Sequence, residues 1–379
     1  MLNKEEINRY SRHLLLPEIG IAGQEKLKGA KVLVIGAGGL GCPALLYLTA
    51  AGVGEIGIID FDKIEDSNLQ RQVLYYADDI GKPKAQVAAE RLSKQNPFIK
   101  FNCYPVQISN QNALDIISDY DVIIDGTDNF ATRYLVNDAC VLMNKPLVYG
   151  SIYKFEGQVS VFNYTDSYAN LGPTYRCLFP EPPKPGSTPN CSEIGVLGVL
   201  PGIIGTLQAT EAIKIITGIG KPLSGKLLLV DALAMNFSAI EISRNNDWMN
   251  TAPQNREEFL KIDYEYFCGN KELKPLIRTV SVNEFKLMLE NNADIQIIDV
   301  REPYEYPQID DFTCIQIPLT KLIEKIHLIS KDKKVVVFCK SGARSKRAIE
   351  LLERDFGFTN LYNLEGGVME WINLQSVTK

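Results

Sequence analysis

Short apolar runs alternate with stretches of helical period from Lys31 onward. KVLVIG (31–36) predicts a buried strand and residues 39–51 a helix. EIGIID (55–60) and DVIID (121–125) predict further strands, each with a helical pattern after it. This β-α-β order builds a parallel sheet with helices on both faces. Beyond Gly150 the pattern changes, and GQVSVF (157–162), KLLLV (226–230) and SAIEI (238–242) predict a mixed extension of the sheet. Between them, LFPEPPKPGSTPN (178–190) carries five prolines in 13 residues. That excludes regular helix or strand and predicts an exposed crossing loop, a place where function often resides. Residues 245–275 are polar and poorly periodic, as in a linker or ordered tether. A second α/β rhythm follows: a helix at SVNEFKLMLE (281–290), strands at IQIIDV (295–300) and VVVFC (335–339), and a helix at ARSKRAIELLERD (343–355).

Composition narrows the class. At about 150 residues per domain, 379 residues give two to three domains. Hydrophobic and charged fractions of 45% and 23% are those of a globular chain and exclude disordered, collagenous and disulfide-scaffold classes. A net charge of −6 offers no basic excess for nucleic acid. The uncharged stretch from Ile194 to Thr210 spans 17 residues and is interrupted by glycines and Pro201, short of the roughly 20 a bilayer span needs. We therefore expect it in the interior, with no membrane partner. MLNKEEINRYSR lacks an apolar signal core, and the eight cysteines form no C-x-x-C pair, which together predict a cytoplasmic chain with reduced thiols.

GAGGLG (36–41) ends the first predicted strand and opens a helix, where glycines let backbone approach a phosphate and the helix start supplies free N–H groups. Asp60 ends the next strand, at the place of a ribose-binding carboxylate. A packing turn would explain the glycines alone, and a nicotinamide dehydrogenase would explain them with Asp60. The two histidines, His13 and His327, supply no convincing hydride-transfer site. SNLQRQ (67–72), KPK (82–84) and GTDN (126–129) instead place Asn68, Arg71, Lys84, Asp128 and Asn129 after successive strands, where they can converge. Arg and Lys suit a triphosphate, and Asp128 suits Mg²⁺ bridging its oxygens.

With RYSRHLLLPEIG (9–20), GAGGLGCP (36–43) and GTLQATEAIK (205–214), these strings resemble the MoeB/ThiF family, bacterial relatives of ubiquitin-activating enzymes. The resemblance covers residues 1–244 and implies a Rossmann-like ATP-binding domain with a mixed sheet extension. It also implies adenylation of the C-terminal glycine of a ubiquitin-like sulfur carrier of the MoaD/ThiS type, ending in Gly-Gly, with ATP and Mg²⁺. By motif position Gly39, Asp60, Asn68, Arg71, Lys84, Asp128 and Asn129 would bind ATP or its metal. Arg12 resembles an arginine that reaches into the partner subunit's site, which implies a homodimer. Many members hold a structural zinc with two C-x-x-C pairs. Here Thr174 replaces one cysteine in TYRC (174–177) and RNNDWMNT (244–251) has none, so no zinc is expected. Cys191, in NCSEIG (190–195), aligns with the family's candidate thiol, which attacks the adenylate or receives sulfur as an acyl disulfide; a buried packing cysteine is the bland alternative. Cys268, in FCG, has no assigned role.

VVVFCKSGARSKRA (335–348) puts Cys339 at a strand end before a short loop and a helix, an anion-stabilising place for a thiolate or persulfide. Lys340, Arg344 and Arg347 add positive charge. Cysteine phosphatases space Cys and Arg by five residues; Lys340, Ser341, Gly342 and Ala343 make four, a loop sized for sulfur by family analogy. With IIDVREPYEY (297–306) and EGGVMEW (365–371), this stretch resembles a small α/β rhodanese domain, assigned to 279–379 after a linker at 245–278. Arg301 resembles the family's structural or pocket arginine, with a surface salt bridge as the alternative, and PQIDDFTCIQIPL (307–319) lacks the usual Gly-His-Ile. The joined resemblances imply carrier adenylation followed by sulfur transfer from a Cys339 persulfide to give a thiocarboxylate, fed by a donor such as a cysteine desulfurase. Molybdopterin synthesis is the first expectation for the carrier, with thiamine synthesis or tRNA thiolation, or carrier binding or conjugation without sulfur transfer, as alternatives.

Overall fold

A computed structural model describes residues 1–183, 195–249, 251–269, 277–291 and 293–377. Among these the chain forms two units, Met1–Asn270 and Lys271–Lys379, each around its own sheet.

The strands of the first unit are β1 (Lys31–Ile35), β2 (Glu55–Ile59), β3 (Lys100–Tyr104), β4 (Val122–Asp125), β5 (Leu147–Tyr153), β6 (Glu156–Phe162), β7 (Lys226–Asp231) and β8 (Asn236–Glu241). They lie in the order β3-β2-β1-β4-β5-β6-β7-β8, parallel as far as β5 and antiparallel beyond it. In β1, Val32 and Val34 face one core and Leu33 and Ile35 the other, so both sheet faces are covered and the run shows no polar alternation. The uncharged stretch enters helix Leu200–Thr217, whose Ile204, Ala209 and Ala212 are buried. Its Gly205 packs so closely that a side-chain carbon there would lie 2.2 Å from the Leu40 carbonyl. Apolar residues on nearly all sides, together with its glycines, hid the helical period of this stretch from the sequence pattern.

The segment expected to link the domains carries structure of its own. Helices Asn246–Met249, Arg256–Lys261 and Tyr264–Phe267 precede the second unit, capped in part by Asn255 and Asp263. Phe259, Tyr264 and Cys268 are buried in the core below β4 and β5. Asn110 donates to the carbonyls of Leu260 and Ile262, and the Tyr264 hydroxyl donates to Asp138. Arg176 completes that cluster with a two-pronged ion pair to Asp138 at 2.7–2.8 Å. Cys268 is thus a packing residue whose thiol burial pushes up to about 12. Helices of four to six residues are too short to show a period, which is why this part read as a tether.

In the second unit β9 (Thr279–Val280), β10 (Ile295–Asp299), β11 (Ile315–Gln316), β12 (Lys334–Phe338) and β13 (Leu361–Leu364) form an all-parallel sheet in the order β11-β10-β12-β13-β9. Helix Val282–Glu290 starts with a capping box between Ser281 and Glu284, and helix Ala343–Phe356 follows the Cys339 loop. Two cores, centred on Val335 and Val337 on one face and Val336 and Phe338 on the other, sandwich the sheet.

Phe259→Ala is expected to cost the first unit about 3–5 kcal/mol, the range for a fully buried Phe. Chemical denaturation followed by tyrosine fluorescence checks it, and a solvated linker would show no change.

Candidate functional site

In the first unit the β1 turn is the starting point. Gly36 has φ +91°, and a side-chain carbon there would meet the Gly126 carbonyl at 2.8 Å; one on Gly41 would meet the Gly36 carbonyl at 1.9 Å. These glycines let β1 and β4 end side by side and let helix Gly41–Ala51 start at the sheet rim. Here the strand order leaves β1 with β2 on one side and β4 on the other, the topological switch point at which such sheets hold ligands. A cavity of about 390 Å³ opens there.

Of the residues expected to bind ATP, Gly39, Asp60, Arg71, Lys84, Asp128 and Asn129 line this cavity. Asp60 is buried and accepts from the N–H groups of Ala37 and Asp62, both at 2.8 Å. Burial pushes its carboxyl up, against the pull of Lys84 and these donors. Lys84 is buried at the start of its helix, with its ammonium 2.9 Å from Asp62. Arg71 is half-buried and donates to the Ser67 carbonyl. Asp128 is exposed at the rim, and Asn129 caps helix Phe130–Leu142 by accepting from Thr132 at 2.8 Å.

Two expected residues stand elsewhere. Asn68 does not line the cavity; it is buried in the turn before Arg71, accepting from Glu65 N–H and offering its carbonyl to the amides of Arg71 and Gln72. Arg12 is exposed on helix Ser11–Leu14, away from its own chain's cavity wall. Cys191 lies outside the described residues.

Other cavity residues escaped the sequence reading. Asp62 anchors Lys84, and the Oε1 of buried Gln72 has no hydrogen-bond partner among the described residues. Buried Arg133 donates to Ser151 and to the Thr127 carbonyl, both at 3.1 Å, and so braces the turn that carries Asp128. Gln72 follows Arg71 in the same motif, so spacing could have found it. Arg133 sits within a helix, and nothing in its spacing marked it.

The two segments that the family resemblance singled out for zinc do meet, with one thiol between them. The Cys177 Sγ accepts from the amides of Thr174 and Asn245, each at 3.4 Å. One thiol does not fit a four-ligand zinc site. Among the described residues no three His, Cys, Asp or Glu side chains cluster to hold a metal.

In the second unit Cys339 follows β12 and is buried. Burial pushes its thiol up, but the Ser345 hydroxyl and the amides of Ser345, Ser341 and Gly342 outweigh it, and the net shift is downward. The Ser345 Oγ lies 3.5 Å from Sγ and 2.6 Å from the Asn363 carboxamide. Gly342 takes φ +90° to turn the loop into helix Ala343–Phe356. Gly367 explains EGG: its amide neighbour Val368 donates to the Cys339 carbonyl, and a side chain at 367 would strike that carbonyl at 2.3 Å. Lys340, Ser341 and Ala343 are exposed around the thiol, while Arg344 is committed to Glu305. Arg301 is buried, gripping Asp299 and the Pro307 carbonyl, so it ties the end of β10 to the segment after it instead of forming a surface salt bridge.

A crevice walled by cations at a glycine turn, and a thiol whose anion is stabilised by a loop and helix start, together define an adenylyltransferase with a sulfurtransferase domain. The ThiF family matches residues 10–251 and the Rhodanese-like domain residues 281–374, and the chain belongs to the ThiF family with a rhodanese-like domain after it. It is 45% identical over 376 residues to the probable adenylyltransferase/sulfurtransferase MoeZ of Mycobacterium tuberculosis, covering 98% of this chain and 94% of that one. It is 53% identical over 268 residues to the sulfur carrier protein adenylyltransferase of Thermus thermophilus, covering 70% of this chain and 98% of that one. The crystal structure of E. coli MccB with ATP superposes with a TM-score of 0.54 at 27% identity, over 63% of this chain and 72% of that one. No helix among the described residues is long and apolar enough to cross a membrane.

The downward shift at Cys339 gives a sign. Its thiolate forms at lower pH than an ordinary cysteine's, so alkylation of Cys339 by iodoacetamide should rise with a midpoint below 9. Ser345→Ala removes one donor to the anion and should move that midpoint upward; an unchanged profile would exclude Ser345 from the effect.

Proposed function

We propose that the enzyme activates the C-terminal glycine carboxylate of a ubiquitin-like sulfur carrier as an acyl adenylate and converts it to a thiocarboxylate with sulfur from Cys339. The observation that carries the first half is the convergence of Arg71, Lys84 and Asp128 on one glycine-turned crevice. The names of the Mycobacterium and Thermus relatives support both halves.

The carrier carboxylate is ionised near neutral pH, so no base is needed to create the nucleophile. Its oxygen attacks the α-phosphorus of ATP, a new P–O bond forms, and pyrophosphate leaves. The barrier is the meeting of two anions, and lowering it is a matter of positioning and charge. Lys84, held at its post by Asp62, and Arg71 face the phosphates, while Asp60 takes the ribose hydroxyls and Gly39 lets backbone come close. Asn68 and Asn129 shape the two turns that carry Arg71 and Asp128. Asp128 is a single exposed carboxylate at the rim and would be this chain's ligand to Mg²⁺. When bound, the metal neutralises charge on the phosphate oxygens. Arg12, exposed and outside the lining of its own chain's cavity, would serve the partner protomer's crevice in a homodimer.

For the second half, the terminal sulfur of the Cys339 persulfide attacks the acyl carbon and AMP leaves, giving an acyl disulfide. A second thiol, assigned to Cys191, attacks Sγ of Cys339 and releases the thiocarboxylate; an external thiol reduces the resulting disulfide. A cysteine desulfurase recharges Cys339, and the carrier is that of molybdopterin synthesis, in the cytoplasm.

Asp128→Ala should abolish ATP–pyrophosphate exchange with carrier present while leaving the thermal transition in place. Exchange at the wild-type rate would remove Asp128 from the reaction. Cys339→Ala should keep exchange but yield carrier without the mass increase of sulfur for oxygen; thiocarboxylate formed at the wild-type level would refute the second half. Offering molybdopterin, thiamine and tRNA-thiolation carriers in parallel identifies the pathway by which tail is adenylated.

A further inference from the structure

The strongest ion pair at the sulfur loop joins its motif to a residue outside it. The Arg344 guanidinium, in the first turn after the loop, grips Glu305 with two parallel hydrogen bonds of 2.5 and 2.6 Å. Glu305 is itself held before any ligand arrives. Its carboxylate accepts from Glu302 N–H at 2.9 Å, its own amide donates to the Glu302 carbonyl, and Glu302 is tied to Thr320. Arg344 holds the Glu305 carboxyl down to about 2, so the pair stays ionised throughout the physiological range. It stands at the rim, with the arginine 38% and the glutamate 21% exposed. The loop amides of Ser341, Gly342 and Ser345 are turned to Sγ itself. The other cations nearby, Lys340, Lys346 and Arg347, are exposed and screened by solvent.

We propose that Glu305 sets donor specificity: by neutralising Arg344 it withdraws the cation a small dianionic sulfur donor needs, and reserves Cys339 for sulfane sulfur carried on a protein cysteine. The inference rests on the reading of Cys339 as the sulfur acceptor. With thiosulfate, the Cys339 thiolate attacks the outer sulfur, the S–S bond to the sulfonate breaks, and sulfite leaves with two negative charges. With a persulfide, the same thiolate takes the terminal sulfur and a thiolate leaves with one. A bidentate carboxylate on Arg344 penalises the first route far more than the second.

The test uses the full chain, with thiosulfate and glutathione persulfide as probes and cyanide as final acceptor. Wild-type enzyme should prefer glutathione persulfide over thiosulfate by at least tenfold in kcat/KM. E305Q should raise kcat/KM for thiosulfate roughly tenfold, through KM, by unmasking one charge, while glutathione persulfide changes less than about twofold. E305Q/R344Q should lose the gain. A wild-type ratio near one overturns the proposal without any variant. So does a thiosulfate KM unchanged in folded E305Q, or an equal gain for both donors. Persulfide formed equally well in Cys339→Ala would instead sink the reading of Cys339 as acceptor, which separates the two failures.

Discussion

Backbone meets backbone where β1 ends, and the first site depends on that contact. Gly36 turns with a positive φ against the Gly126 carbonyl, and Gly41 passes within reach of the Gly36 carbonyl. A side chain at either position would push β1 away from β4 or lift the helix off the sheet. Either change would close the crevice and carry Asp60 and Asp128, which follow the strands on either side of β1, out of range of one ligand. The sheet's apolar residues hold the strands together, but the absence of side chains at two points decides where they end.

Charges in both units are positioned by partners of their own. Lys84 is fixed by Asp62, Arg133 by Ser151 and the Thr127 carbonyl, Arg301 by Asp299, and Arg344 by Glu305. Each long cation gives up much of its rotamer freedom on folding instead of on ligand binding, which is the physical content of preorganisation. The arrangement differs between units in one respect. Asp62 is half-exposed and leaves Lys84 turned to a cavity, whereas Glu305 takes both prongs of Arg344. The former keeps a cation available; the latter offsets it.

Two polar clusters tie later segments of the chain to the first core. Thr174, Cys177 and Asn245 stand together through weak sulfur contacts, at the two segments where the family resemblance directed attention to zinc. Close by, Arg176, Asp138 and Tyr264 form a buried hydrogen-bonded group under an aromatic cover, with the Arg176 guanidinium about 5 Å from the rings of Tyr134 and Phe267. The group leaves Arg176 Nη1 without a hydrogen-bond partner among the described residues, yet through Asp138 it ties helix Tyr264–Phe267 to helix Phe130–Leu142 and makes the region between the two motifs part of the first core.

The strands at 31–35, 55–59, 122–125 and 334–338 were legible because short, near-continuous apolar runs have one cheap solution, a strand covered on both faces. The glycine turn, Asp60, Arg71, Lys84, Asp128 and Cys339 were legible because their chemistry sits at fixed offsets from those strands. What residues 252–269 do was not, since helices of four to six residues show no period and their burial depends on Asn110, Asp138 and Arg176 far away in the chain. Asp62, Arg133, Glu305 and Asn363 were invisible for the same reason: each acts through a partner chosen by packing. The sequence by itself determined which groups end the strands and which chemistry they can do. Only the tertiary structure decided which cations remain available, because a charge is set by its nearest neighbour in space, and that neighbour is rarely its neighbour in the chain.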